Sequence, residues 1–130
     1  MTPTESAAAK PPLITPTFVL AWVANFCQFL VFYLSVTTMA LYAVESFGAS
    51  DTVGGFASSA FVLGATCMRV FSGWIVDRVG HKKAALTSLV FVTVVAVAYF
   101  FAHNVAVLII VRMVHGAGYA LTSTALMAVA

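Results

Sequence analysis

Long apolar runs alternate with short polar breaks along the chain. The apolar runs cover 18–44, 52–76, 83–102 and 105–130, with breaks at 45–51, 77–82 and 103–104. An α-helix rises about 1.5 Å per residue, so about 20 apolar residues cross the hydrocarbon of a bilayer. Each run reaches that length. The pattern predicts an all-α integral membrane protein with four transmembrane helices. Residues 1–17 are rich in Thr, Ser, Ala and Pro. Pro3, Pro11, Pro12 and Pro16 oppose a long helix there, which predicts a disordered cytoplasmic tail. The run that follows is too long for the apolar core of a secretory signal.

Composition agrees with this pattern. The chain is 62% hydrophobic and 8% charged, with a mean hydropathy of +1.06. Ordinary soluble domains are about half apolar and about a quarter charged, so a soluble fold has nowhere to hide this surface. The net charge of +2 is too small and too dispersed to predict a nucleic-acid partner. Cys27 and Cys67 both fall inside apolar runs, where they are expected to act as small hydrophobes. They form neither a metal-ligand spacing nor a convincing disulfide pair. No nucleophile constellation, metal cluster or phosphate-binding loop is present, so neither an enzyme nor a cofactor is expected.

The few charges set the orientation. Asp77, Arg78, Lys82 and Lys83 crowd into the stretch Gly73-Trp74-Ile75-Val76-Asp77-Arg78-Val79-Gly80-His81-Lys82-Lys83. Charge inside hydrocarbon is costly, so this junction belongs at a membrane surface. Short loops with excess Lys and Arg stay cytoplasmic. The break at 45–51 has no Lys or Arg and belongs outside. The four spans then run inside to outside and back twice, with a cytoplasmic N-terminus. Within the junction, Gly73 is expected to allow close approach near a helix end. Asp77 should lie just past that end, and Gly80 should take the positive φ of a tight turn. Lys82 and Lys83 should open the next helix, within reach of Asp77 or lipid phosphate.

Polar residues within the spans are patterned too. Asn25, Gln28, Phe32 and Ser35 share one face of the first helix. That face points either into a water-filled cavity or onto a neighbouring helix that Asn25 and Gln28 bind by hydrogen bonds. The second run carries small residues at spacings of four, Gly54 to Ser58 and Ala60 to Gly64, which favour close helix packing. Arg69 lies two turns above Asp77 and is expected to snorkel to the cytoplasmic headgroups rather than meet substrate. The third run has little chemistry. In the fourth, Arg112, His115, Tyr119 and Thr122 share a face, with Gly116 and Ala120 beside it for close packing. An Arg at this depth costs about 2.5 to 3.5 kcal/mol on insertion scales, so it needs a partner or water. His115 is either a residue that titrates near neutral pH or a satisfied hydrogen-bonding group.

Two of these stretches point to a family. Gly73-x-x-x-Asp77-Arg78-x-Gly80-x-Lys82-Lys83 resembles the loop between the second and third helices of the major facilitator superfamily. Arg112-x-x-His115-Gly116-x-Gly118 resembles that family's fourth-helix signature, Arg-x-x-Gln-Gly-x-Gly, with His115 replacing the common Gln. The resemblance implies a two-lobed, twelve-helix fold of which this chain is the first four helices. It implies a secondary transporter working by alternating access. Arg112 would then face the cavity and take part in proton coupling, with His115, Asn25 and Gln28 on the cavity wall. Asp77 would be the latch that contacts the second half in the outward-facing state.

The function expected is proton-coupled efflux of a small molecule or drug across a bacterial inner membrane. The expected partners are the small-molecule substrate, protons, the lipid bilayer and a missing C-terminal half of the same carrier. The last residues, 126–130, are still apolar, so the chain is expected to be a fragment of a longer permease, inactive alone. Efflux members often carry an acid in the first helix, and this span has none. An alternative is a self-contained four-helix membrane protein acting as an oligomeric small transporter or accessory subunit. Small multidrug transporters have this size, but they use a membrane-embedded first-helix glutamate, and Glu45 lies instead at the outer break.

Overall fold

The structure, a computed structural model, describes residues 14–130; the tail expected at 1–17 lies largely outside the described residues. Four long helices follow in order: α1 (Pro16–Phe47), α2 (Asp51–Val79), α3 (His81–Ala98) and α4 (Val105–Val129). A single 3-10 turn, Tyr99–Phe101, extends α3. All four are long and apolar enough to cross a membrane. At about 1.5 Å per residue, the 32 residues of α1 reach about 48 Å, more than the hydrocarbon thickness alone.

The helix ends are set by local chemistry. Pro16 was expected to oppose helix, yet it opens α1. A proline at the first helical position loses nothing, because its missing N–H would have no intrahelical partner there. Thr15 caps it, accepting from the Phe18 N–H at 3.1 Å. Gly48, at φ 62°, closes α1 in the left-handed region. Ser50 and Asn104 accept from the N–H groups three residues on and so start α2 and α4.

The junction between α2 and α3 is tighter than the sequence pattern suggests. Helix α2 continues through Asp77 and Arg78 to Val79, and α3 begins at His81. Gly80 alone turns the chain, at φ 93° and ψ 137°. Side-chain-bearing residues rarely adopt that backbone, and holding one there costs about 1–3 kcal/mol. Gly80→Ala should therefore lower the melting temperature of the purified protein, whereas Gly55→Ala, where a Cβ meets no atom within 4 Å, should not.

Packing is layered along the bundle axis. At the end where α2 meets α3, Ala21, Val76, Ala84, Ala85, Ala125 and Leu126 form one apolar cluster. In the middle, Phe61, Ala65, Tyr119 and Ala120 form a second. At the opposite end, Ala43, Ala57, Ala102 and Leu108 form a third. Alanine dominates the two end clusters and makes up half of the central one, so the backbones lie close together. Without a hydrophobic driving force in lipid, close contact and interhelical hydrogen bonds hold such a bundle.

The closest approach is between α2 and α4. A Cβ built on Gly64 would lie 2.0 Å from the Met113 carbonyl oxygen, and one on Gly116 would lie 1.9 Å from that of Phe61. The two helices touch backbone to backbone there, as the small-residue spacings predict. Ser72 Oγ and Thr124 Oγ1, 3.1 Å apart, tie the same pair nearer the α2–α3 junction. Helix α1 joins through Gly54, where a Cβ would meet the Ala40 carbonyl at 3.0 Å. It is also held by the Ser58 hydroxyl, which donates to the Val36 carbonyl at 2.6 Å.

Candidate functional site

Arg112 lies on α4, seven residues after the helix starts, and is fully buried. No acid meets it. Its Nε donates to the Ala57 carbonyl at 3.1 Å and one terminal nitrogen, Nη2, to the Ser58 carbonyl at 2.7 Å. A helical carbonyl has a second lone pair, so it accepts from Arg112 while keeping its place in the helix. Ala57 and Ser58 are small, which leaves the guanidinium room to reach the α2 backbone. The Phe61 ring lies 5.3 Å from the guanidinium carbon. The remaining terminal nitrogen, Nη1, is buried without a hydrogen-bond partner.

This node links three helices. Arg112 on α4 holds the Ser58 carbonyl of α2, and the Ser58 hydroxyl holds the Val36 carbonyl of α1. His115, one turn along α4, is buried too. Its Nδ1 is hydrogen-bonded to the Tyr99 hydroxyl at 3.0 Å, and its ring lies edge-on to Phe61 at 5.3 Å. The histidine thus has one ring nitrogen satisfied by the turn that ends α3. Thr122, the last of the predicted face, turns inward and donates to the Gly118 carbonyl. The four residues predicted to share a face do share one, and it is the buried face of α4.

The α1 stripe behaves differently. Asn25 and Gln28 are half-buried. Asn25 Oδ1 and both amide atoms of Gln28 are buried with no hydrogen-bond partner among the described residues. The interhelical hydrogen bonds that were one expectation for this pair are therefore not formed. Phe32, on the same stripe, packs against Phe61 and Tyr119 with ring centroids 5.2 and 6.0 Å away.

At the α2–α3 junction, Asp77 sits inside the last turns of α2 rather than beyond it. It pairs with His81 at 3.7 Å, the one ion pair among the described residues, and not with Lys82 or Lys83. His81 follows Asp77 by four residues, and the single-residue turn keeps the two on nearly the same side of the junction. Lys82 and Lys83 open α3 as expected and are exposed. Arg78 lies over the Trp74 ring, 4.8 Å from its centroid. Gly73 is exposed, and a Cβ there would meet no atom within 4 Å, so its expected close approach is not made among the described residues.

Sequence reasoning passed over two features. Tyr99, in the turn that ends α3, supplies the partner of His115. Arg69, expected to snorkel along α2 to the headgroups, also lines a cleft with Phe29, Phe32, Phe61 and Tyr119. Its spacing of four from Ala65, a residue of the central cluster, was the available signal.

The match to known families decides the identity. A family model for the Major Facilitator Superfamily covers residues 21–130. The chain belongs to the Major Facilitator Superfamily. No curated protein and no solved structure matches it. Membership makes this a multi-pass membrane chain of a transporter family, with a lipid bilayer as its solvent and a small molecule as its cargo. Both motifs, at the α2–α3 junction and on α4, lie within the matched region.

Proposed function

We propose that this superfamily member forms the first four helices of a two-lobed, twelve-helix carrier that exports a small molecule in exchange for protons. The observation that carries this reading is the buried Arg112. A cation held inside an apolar bundle by backbone carbonyls, with no acid beside it among the described residues, is costly to keep for packing alone. Its use is electrostatic: it sets the potential of the cavity wall through which a proton or an anionic group must pass. His115 is the proton-handling neighbour, and Asn25 and Gln28 offer polar atoms with no partner inside the bundle. The carrier lies in a bacterial inner membrane with its N-terminus in the cytoplasm, as Arg78, Lys82 and Lys83 at the α2–α3 junction favour.

The junction serves as the conformational latch. Asp77 is exposed, held only by His81, and free to exchange that contact for one in the second half of the carrier. A charged hydrogen bond contributes about 1.5–3 kcal/mol, enough to shift a two-state equilibrium about tenfold or more. Asp77→Asn in the full carrier should cut transport by about that factor while the protein still reaches the membrane. Wild-type rates in the variant would remove the latch role. The whole reading is tested by reconstituting the full carrier in proteoliposomes and measuring movement of a compound panel with and without a pH gradient. Gradient-driven accumulation of a compound is expected. Transport indifferent to the gradient would overturn proton coupling.

A further inference from the structure

Arg69 is a charged side chain inside a span that the Arg112 node and the junction leave unused. It lies ten residues before the end of α2, about 15 Å along the helix at 1.5 Å per residue, and its side chain is exposed. It forms no ion pair among the described residues. Its side chain forms one wall of a cleft of about 280 Å³ between α1, α2 and α4. The other walls are aromatic. Phe29 stands edge-on to Tyr119 at 6.0 Å, Phe32 stacks on Tyr119 at 6.0 Å, and Phe61 lies 5.3 Å from the same ring. Thr66, one turn from Arg69 on α2, adds a hydroxyl.

We propose that this cleft is a binding site for a small organic anion, a carboxylate on a flat apolar body, with Arg69 as its charge partner. The inference rests on the carrier reading above and names the substrate class for it. Three physical features carry it. A guanidinium with no counter-charge among the described residues is free to attract an anion. Its planar fork matches the two oxygens of a carboxylate. The rings of Phe29, Phe32 and Tyr119 offer faces and edges to a flat body, and an aromatic pair adds about 0.5–1.5 kcal/mol beyond burial. The cleft's volume is at the lower end of ligand pockets, which run from about 300 Å³, so the occupant is no larger than a substituted single ring. An organic cation would meet Arg69 with like charge and with no acid among the described residues to offset it.

The test uses the full carrier, purified in lipid nanodiscs, and three isosteric probes: benzoate, benzamide and benzylamine. Binding is measured by equilibrium dialysis of the radiolabelled compounds. Benzoate is expected to bind at least about tenfold more tightly than benzamide, with benzylamine weakest. Arg69→Gln should remove that preference, with benzoate falling to the level of benzamide. Arg69→Lys should restore part of it. Size-exclusion profiles and helical circular dichroism establish that each variant is folded. Equal binding of benzoate and benzamide by the wild type, or a benzoate preference that survives Arg69→Gln, overturns the proposal. The two readings fail separately. A carrier that moves organic cations irrespective of Arg69 keeps the transport reading and sinks the anion site. Arg69-dependent benzoate binding without transport of any compound does the reverse.

Discussion

Replacing Arg112 by methionine in the full carrier should abolish transport while leaving the protein at least as stable as the wild type. The two readouts move in opposite directions because the residue serves the cavity and not the packing. A buried charge costs more to hold than an apolar side chain of similar volume, and such replacements are often neutral or stabilising by about 1–4 kcal/mol. The Ala57 and Ser58 carbonyls lose little, since each keeps its own helical hydrogen bond. Transport should fall by at least about a hundredfold, the scale expected on losing one preorganised charge contact of about 3 kcal/mol. Arg112→Lys separates charge from geometry. A lysine keeps the charge but cannot reach two successive carbonyls with a rigid fork, so partial activity is expected. The check is a transport assay alongside thermal melting in detergent. An Arg112→Met protein with wild-type transport would make Arg112 merely structural.

The largest effect on stability should come from Gly64 and Gly116. A methyl group on either would penetrate a backbone carbonyl of the facing helix, at 2.0 Å from Met113 O or 1.9 Å from Phe61 O. Backbone cannot rotate away as a side chain can, so α2 and α4 must separate by about 1 Å or more. Overpacking of this kind typically costs about 1–3 kcal/mol for one added group. Gly64→Ala and Gly116→Ala should each melt several degrees below the wild type, and the corresponding leucines should fail to accumulate as folded protein. Gly118→Ala should be milder, since its neighbours are the side chains of Phe91 and Val92, which can shift. Melting temperatures equal to the wild type in both alanine variants would show that the backbone contact is not what holds the bundle.

These two predictions also mark what was readable in the sequence. The small residues at Ala60, Gly64, Gly116 and Ala120 announced close packing, because in lipid only small side chains let helices touch. Their pairing across α2 and α4 was not readable, because spacing fixes a face but not its partner. The face of Arg112, His115, Tyr119 and Thr122 followed from helical periodicity. That Arg112 would be held by carbonyls rather than an acid did not follow, since backbone acceptors leave no trace in a pattern of side chains. Asp77 was expected outside its helix because charge usually ends an apolar run. The single-residue turn at Gly80 lets α2 carry Asp77 and Arg78 beyond the hydrocarbon while remaining helical. Pro16 was taken as a breaker, although at a first helical turn it is a starter. The cleft that Arg69 lines was not readable either, because its aromatic rings come from α1 and α4 as well as α2.

The side of the membrane on which the α2–α3 turn emerges tests the central claim most directly. A single cysteine at position 82, in the full carrier with Cys27 and Cys67 replaced by alanine, can be labelled with a membrane-impermeant maleimide in vesicles of known orientation. The account predicts labelling in inside-out vesicles and protection in right-side-out ones. Labelling from the external face would contradict it, because the latch at Asp77 and the proposed orientation of every helix depend on that turn facing the cytoplasm.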